Sequence, residues 1–130
     1  MSDVDWPALK AAALAVQERA YVPYSDYRVG AALLTASGEI VAGCNVENAT
    51  FGATCCAERT AVFSAVAAGH REFRAVAVVT HGAEPGTPCG ICRQVLAEFG
   101  SDLEVLCFTP EGAEEVYWLS ELLPHAFKLK

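Results

Sequence analysis

The sequence predicts an α/β fold in three layers, α/β/α, around a mixed sheet of about five strands joined by crossover helices. Three observations carry this expectation. The predominantly apolar stretches "FRAVAVVT" and "LEVLCFT" read as buried-type strands. Each is preceded by a helical stretch, "CAERTAVFSAVAAG" and "CGICRQVLAEFG" respectively. An earlier pair of apolar segments, "RVGAALLTA" and "EIVAGCNV", flanks Ser37-Gly38 in the pattern of a β-hairpin.

Taken in order, Asp5 is placed to cap a first helix that carries Pro7 in its first turn. Trp6, Leu9, Ala13, Val16 and Ala20 recur at steps of three and four and give that helix one apolar face. "YVPYSDY" ends it, and the hairpin follows. A Gly/Asn-rich loop, "ENATFGAT", leads into the Ala-rich helix from Cys56, which Gly69 closes. After "FRAVAVVT" comes the loop "HGAEPGTP", then the helix from Cys89, which Gly100 is expected to end. The strand "LEVLCFT", a short strand around "EEVYW" and a helical turn at "SELLP" complete the chain. No repeat, low-complexity tract or linker interrupts residues 1–130, so a single domain is expected. Cys56 opens one crossover helix and Cys89–Cys92 opens the next. Both helix starts are expected at the carboxyl ends of neighbouring strands, where α/β sheets bind ligands.

Composition narrows the function classes. The 130 residues carry a net charge of -7, and their nine Lys and Arg are never adjacent. A polymeric nucleic acid requires clustered basic groups and is not an expected partner, whereas a small nucleoside is compatible with this charge. The N-terminus is acidic before its apolar part and lacks the basic start of a signal peptide, and no apolar run is long enough to span a bilayer. A cytoplasmic, reducing compartment is therefore expected, with the six cysteines serving as thiols or metal ligands rather than disulfides. Hydrophobic residues make up 53% of the chain, more than a small monomer usually hides, which points to subunit interfaces.

The stretch "TPCGICRQ" holds two cysteines at C-x-x-C spacing. That spacing alone serves a redox disulfide, a structural zinc site or a catalytic one. Cys56, Cys89 and Cys92 can converge at two helix starts as a three-thiolate set. Three protein ligands leave a fourth position for water, the catalytic arrangement of zinc, and zinc brings the pKa of that water from about 15.7 to about 7. Three thiolates leave the ion with a net negative charge that opposes this acidity. The helix dipoles can offset it, and so can Arg59, three residues past Cys56. Glu58, two residues past Cys56, is either ordinary dressing of a helix start or a group placed to move protons beside an open metal site. A thioredoxin-like motif would leave Cys56-x-Glu58 unexplained. A closed structural site needs a fourth ligand, which Cys55, Cys44, Cys107 or a histidine could supply. Cys55 is the sharpest rival, while Cys44 and Cys107 lie in apolar strands as buried thiols. His70 follows the helix-ending Gly69, and His81 and His125 lie in loops. C-A-E followed by P-C-x-x-C matches the zinc nucleobase-deaminase signature, with Cys in place of its first His.

"CAERTA" and "PCGICRQVLAEF", with "VGAALLT" and "GCNVEN", resemble the small homotetrameric cytidine deaminases, from about "YVPYSDYRVGAALL" to "LLPHAF". The resemblance implies that family's fold. It also implies hydrolysis of cytidine and deoxycytidine to uridine and deoxyuridine with release of ammonia, in pyrimidine salvage. Zinc, one per subunit, would be held by Cys56, Cys89 and Cys92, and hydroxide formed there would attack C4 while Glu58 shuttles protons. Asn45 and Glu47 match the N-x-E pair that binds the ribose 3′-hydroxyl. Tyr27 stands where the family usually has a Phe packed against the base, and Ala57 belongs to the substrate site. Phe51 and Phe127 match aromatics that reach a neighbouring subunit's pocket, so the active sites would be shared. Blasticidin S deaminase shares C-A-E and P-C-x-x-C but has an altered "NVEN", and a non-catalytic zinc module is the alternative from another class.

Overall fold

The computed structural model describes residues 3–100 and 102–129. Helix α1 (Trp6–Gln17) begins where Asp5 Oδ1 accepts from Ala8 N at 3.1 Å, with Pro7 in its first turn. Its apolar stripe buries Leu9 and Ala13, but its last buried position is polar: Gln17 Nε2 donates to Arg28 O at 3.0 Å. Ala20, counted on that stripe in sequence, lies beyond the helix end yet is still buried.

The hairpin pairs β1 (Gly30–Thr35) with β2 (Ile40–Cys44) in antiparallel register. Its turn closes with Gly38 N donating to Thr35 O at 3.0 Å. Gly38 has φ 96°, a left-handed backbone that glycine adopts without steric cost. Three strands complete the sheet: β3 (Phe73–Val79), β4 (Glu104–Phe108) and β5 (Glu114–Trp118), in the order β2-β1-β3-β4-β5. β3 and β4 are parallel, and the other adjacent pairs are antiparallel.

One expectation is corrected here. The strands that lead into the two helices opened by Cys56 and by Cys89 are β2 and β3, and they are not neighbours, because β1 lies between them. Burial explains the order. Every residue of β1 is buried, so it belongs at the sheet centre, while β2 exposes Ile40 and Ala42 and suits the edge. Antiparallel pairing on both sides of β1 still leaves β2 and β3 pointing the same way, so their carboxyl ends share one rim.

Helix α2 (Ala57–Ala67) closes at Gly69, where His70 N donates to Ala65 O at 2.9 Å. Helix α3 (Gly90–Ala97) stops short of the expected Gly100, in a turn where Phe99 N donates to Leu96 O at 3.1 Å. That turn lets Phe99 pack on Phe73, with ring centroids 5.4 Å apart. Both helices, with the short α4 (Leu119–Leu122), cover one face of the sheet over Leu33, Val62, Val76, Leu96 and Val105. Helix α1 covers the other over Ala32, Leu34, Ala77 and Leu106. The three expected layers are present. Among the described residues no helix is long and apolar enough to cross a membrane.

Gly43 sets how closely α2 approaches β2. A Cβ there would stand 2.8 Å from Ala57 O and would run into the Thr60 hydroxyl and Ala61 N. With hydrogen in that place, the Thr60 hydroxyl donates to Cys44 O at 2.8 Å, which clamps the start of α2 to the end of β2.

Candidate active site

Cys56 is the N-cap of α2 and Cys89 the N-cap of α3, and neither sulfur is spent on a capping hydrogen bond. Cys92 lies in the first turn of α3 and is fully buried. The three sulfurs all lie within 4.8 Å of one another. Cys56 and Cys89 are separated by 3.9 Å, and Cys89 and Cys92 by 3.6 Å. Zinc–thiolate bonds of about 2.3 Å at tetrahedral angles require sulfurs about 3.8 Å apart. The cluster thus fits one zinc ion in both donor chemistry and spacing. Cys55, the rival ligand, is not part of it; its backbone pairs with Val46 as an isolated bridge. Cys107 is buried in β4, and that burial pushes its thiol up to about 12, as expected of an inert core cysteine.

The electrostatics favour a thiolate at Cys56. Its thiol is held below the usual range, first by the hydrogen bond with Cys92 and then by Arg59, against the effect of burial. Arg59 Nη2 donates to Cys56 Sγ at 3.1 Å, so the guanidinium lies against the sulfur cluster. Glu58 is only 6% exposed. Burial raises its carboxyl to about 7, near the range where a group both gains and gives up a proton at neutral pH.

These groups open onto a cavity of about 230 Å³. Tyr27, Asn45 and Ala57 line it together with Cys56, Glu58 and Cys89. Asn45 holds the wall in place: its Nδ2 donates to Tyr27 O at 2.8 Å and its Oδ1 accepts from Val29 N at 2.9 Å. The Tyr27 ring rests on His81, with centroids 5.7 Å apart, which gives that loop histidine a partner the sequence did not reveal.

The remaining expected site residues lie outside the cavity wall. Glu47 is bound to the loop before Tyr27, accepting from Tyr24 N at 3.0 Å and from Ser25 N at 3.1 Å. The Phe51 ring is 78% exposed and touches Tyr24 edge-on. Phe127 is 69% exposed, and its backbone is clamped by both ends of the Gln94 amide at 3.0 and 3.1 Å. Four lining residues were not singled out from sequence: Val29, Thr80, Gly86 and Thr87. Thr80 carried a readable signal, since a hydroxyl directly after the apolar run Ala75–Val79 sits on the rim where such sheets bind ligands. Its Oγ1 accepts from Gly86 N at 3.0 Å and holds the loop in front of Cys89.

The family described as the cytidine and deoxycytidylate deaminase zinc-binding region matches residues 7–108. A cytidine deaminase of Halalkalibacterium halodurans is 48% identical over 116 residues, which span 88% of this chain and 88% of its own. The crystal structure of a cytidine deaminase from Burkholderia pseudomallei aligns with a TM-score of 0.90 at 50% identity, covering 98% of this chain and all of that one. A blasticidin-S deaminase of Bacillus cereus is more distant, at 32% identity over 68% of this chain and 71% of its own. Because the matched region runs through both helices that bring Cys56, Cys89 and Cys92 together, the chain belongs to the zinc-dependent cytidine and deoxycytidylate deaminase family.

Proposed function

We propose that this protein hydrolyses cytidine and deoxycytidine to uridine and deoxyuridine, releasing ammonia, as a cytoplasmic homotetramer serving pyrimidine salvage. One observation carries the reading: a buried carboxyl, Glu58, stands beside three convergent thiols at the wall of a nucleoside-sized cavity. Among the described residues three ligands rather than four converge, as an open, catalytic metal position needs, which disfavours a purely structural zinc module.

Cys56, Cys89 and Cys92 are the residues that would hold zinc, which when bound supplies Lewis acidity for activating water. The chain does the rest. Glu58, poised near neutrality, takes one proton from the attacking water and gives it to the ring nitrogen N3, then takes the remaining proton from the oxygen now on C4 and delivers it to the amine, which leaves as ammonia while C4 becomes a carbonyl. Arg59 brings one positive charge to a set of three thiolates around a divalent ion and so makes the centre neutral overall. The Tyr27 ring packs against the base. Ala57, the first residue of α2, has a main-chain N–H without an intrahelical acceptor and can serve the base edge. Asn45 and Glu47 read the sugar. Phe51 and Phe127, exposed on this subunit, complete the pockets of neighbours.

The test is direct. Purified, zinc-loaded protein is incubated with cytidine, deoxycytidine or blasticidin S, and ammonia release is followed alongside zinc content. Ammonia from the two nucleosides, and not from blasticidin S, is the expected result. Stoichiometric zinc with no ammonia from either nucleoside overturns the reading.

A further inference from the structure

An ionised carboxylate offers about four acceptor positions. The loop before Tyr27 occupies three of those on Glu47: Tyr24 N and Ser25 N reach Oε1, and the Ser25 hydroxyl reaches Oε2. One position on Oε2 is left. The Asn45 amide is similarly engaged, because one of its two N–H bonds goes to Tyr27 O and its oxygen accepts from Val29 N. One N–H is left. A free acceptor and a free donor are the complement of a single hydroxyl group.

Ser25 joins these groups. A carboxylate cannot donate, so the one hydroxyl proton of Ser25 belongs to the bond with Glu47. The same oxygen then accepts from Tyr27 N at 3.0 Å. Asp26 makes this reach feasible, since its φ of 57°, which Asp tolerates better than most residues, turns the chain back between Ser25 and Tyr27.

We propose that Ser25 is a positioning residue for substrate recognition, orienting the Glu47 carboxylate toward the sugar 3′-hydroxyl. This rests on the reading that Glu47 binds that hydroxyl. The Ser25 hydrogen bond, foremost, also holds Glu47 below the usual carboxylate range, with burial opposing and the two loop N–H groups assisting, so the group stays a pure acceptor at neutral pH.

The experiment compares cytidine with 3′-deoxycytidine in the native protein and in Ser25→Ala, Ser25→Thr and Glu47→Ala. Loss of a hydrogen bond to a charged group predicts that Ser25→Ala raises the KM for cytidine about 10-fold or more, with kcat and zinc content unchanged. The KM for 3′-deoxycytidine should stay within about twofold of native, as for uncoupled groups. Ser25→Thr, which keeps the hydroxyl, should restore the KM for cytidine. If Ser25→Ala raises both KM values equally, or neither while Glu47→Ala discriminates, the proposal is overturned. If Glu47→Ala treats the two nucleosides alike, the sugar reading itself fails and the proposal falls with it.

Discussion

Glu58 is a carboxyl group that the fold removes from water and places beside sulfur rather than beside a salt-bridge partner. Burying such a group costs stability, and the proposed proton-shuttle role gives a reason to tolerate that cost. Glu58→Gln keeps the shape and removes the exchangeable proton. It should retain about one zinc per chain by metal analysis, and its kcat should fall by a factor of about 10² to 10⁴. Unchanged turnover would take Glu58 out of the mechanism. The neighbouring cysteines separate by geometry in the same way. Cys92→Ser should lose zinc and activity together, because a hydroxyl replaces a thiolate poorly as a soft ligand. Cys55→Ser, outside the cluster, should keep both. Zinc lost from Cys55→Ser and kept in Cys92→Ser would reverse the ligand assignment.

At the scale of elements, the site exists because two helices start at one rim of the sheet, and their approach is set by small residues underneath. At Gly43, α2 backbone lies where a side chain would be. Gly43→Ala forces α2 away from β2 and carries Cys56 and Glu58 with it. Overpacking of this kind costs about 1–3 kcal/mol, a loss of several degrees in Tm for a chain of this size. Turnover should drop more than the stability loss alone explains, since both ends of the metal cluster must stay in register. Gly52→Ala is the control: a Cβ there meets nothing within 4 Å, so melting temperature and activity should match native values. Thermal denaturation and kcat on the same preparations decide the matter, and equal behaviour of the two variants would remove Gly43 from this role.

At the scale of the whole molecule, one chain leaves aromatic surface that it does not use. Tyr24 and Phe51 form an exposed edge-on pair, and Phe127, 69% exposed, is fixed to α3 by the Gln94 amide on its backbone. In the proposed homotetramer, pockets shared across subunits would account for both. Glu58→Gln and Phe127→Ala are each expected to be impaired, one in chemistry and the other in nucleoside affinity. Co-expressed so that mixed oligomers form, they should regain activity above either pure variant, because some pockets combine a native Glu58 with a native Phe127 from a neighbour. Demonstrated mixed oligomers with no recovery would mean that each pocket closes within one chain.

Local order and residue chemistry were legible in the sequence. Strands of mostly apolar residues, helix starts at Asp5, Cys56 and Cys89, and the pairing of C-A-E with P-C-x-x-C depend on near neighbours in the chain. The wall of the cavity was not legible to the same degree. Val29, Thr80, Gly86 and Thr87 come together from separate loops, and no sequence period links them. The strand order also needed the fold, because burial of β1 on both faces put it between β2 and β3. Helix α3 ended early for a tertiary reason, the packing of Phe99 on Phe73, which outweighed the stop suggested by Gly100. Most of all, the sequence named Asn45 and Glu47 as sugar readers but could not show how much of their hydrogen-bonding capacity the loop already takes. Spacing along the chain determines which groups are available, while only the three-dimensional hydrogen-bond count decides how many of their donors and acceptors are left for a substrate.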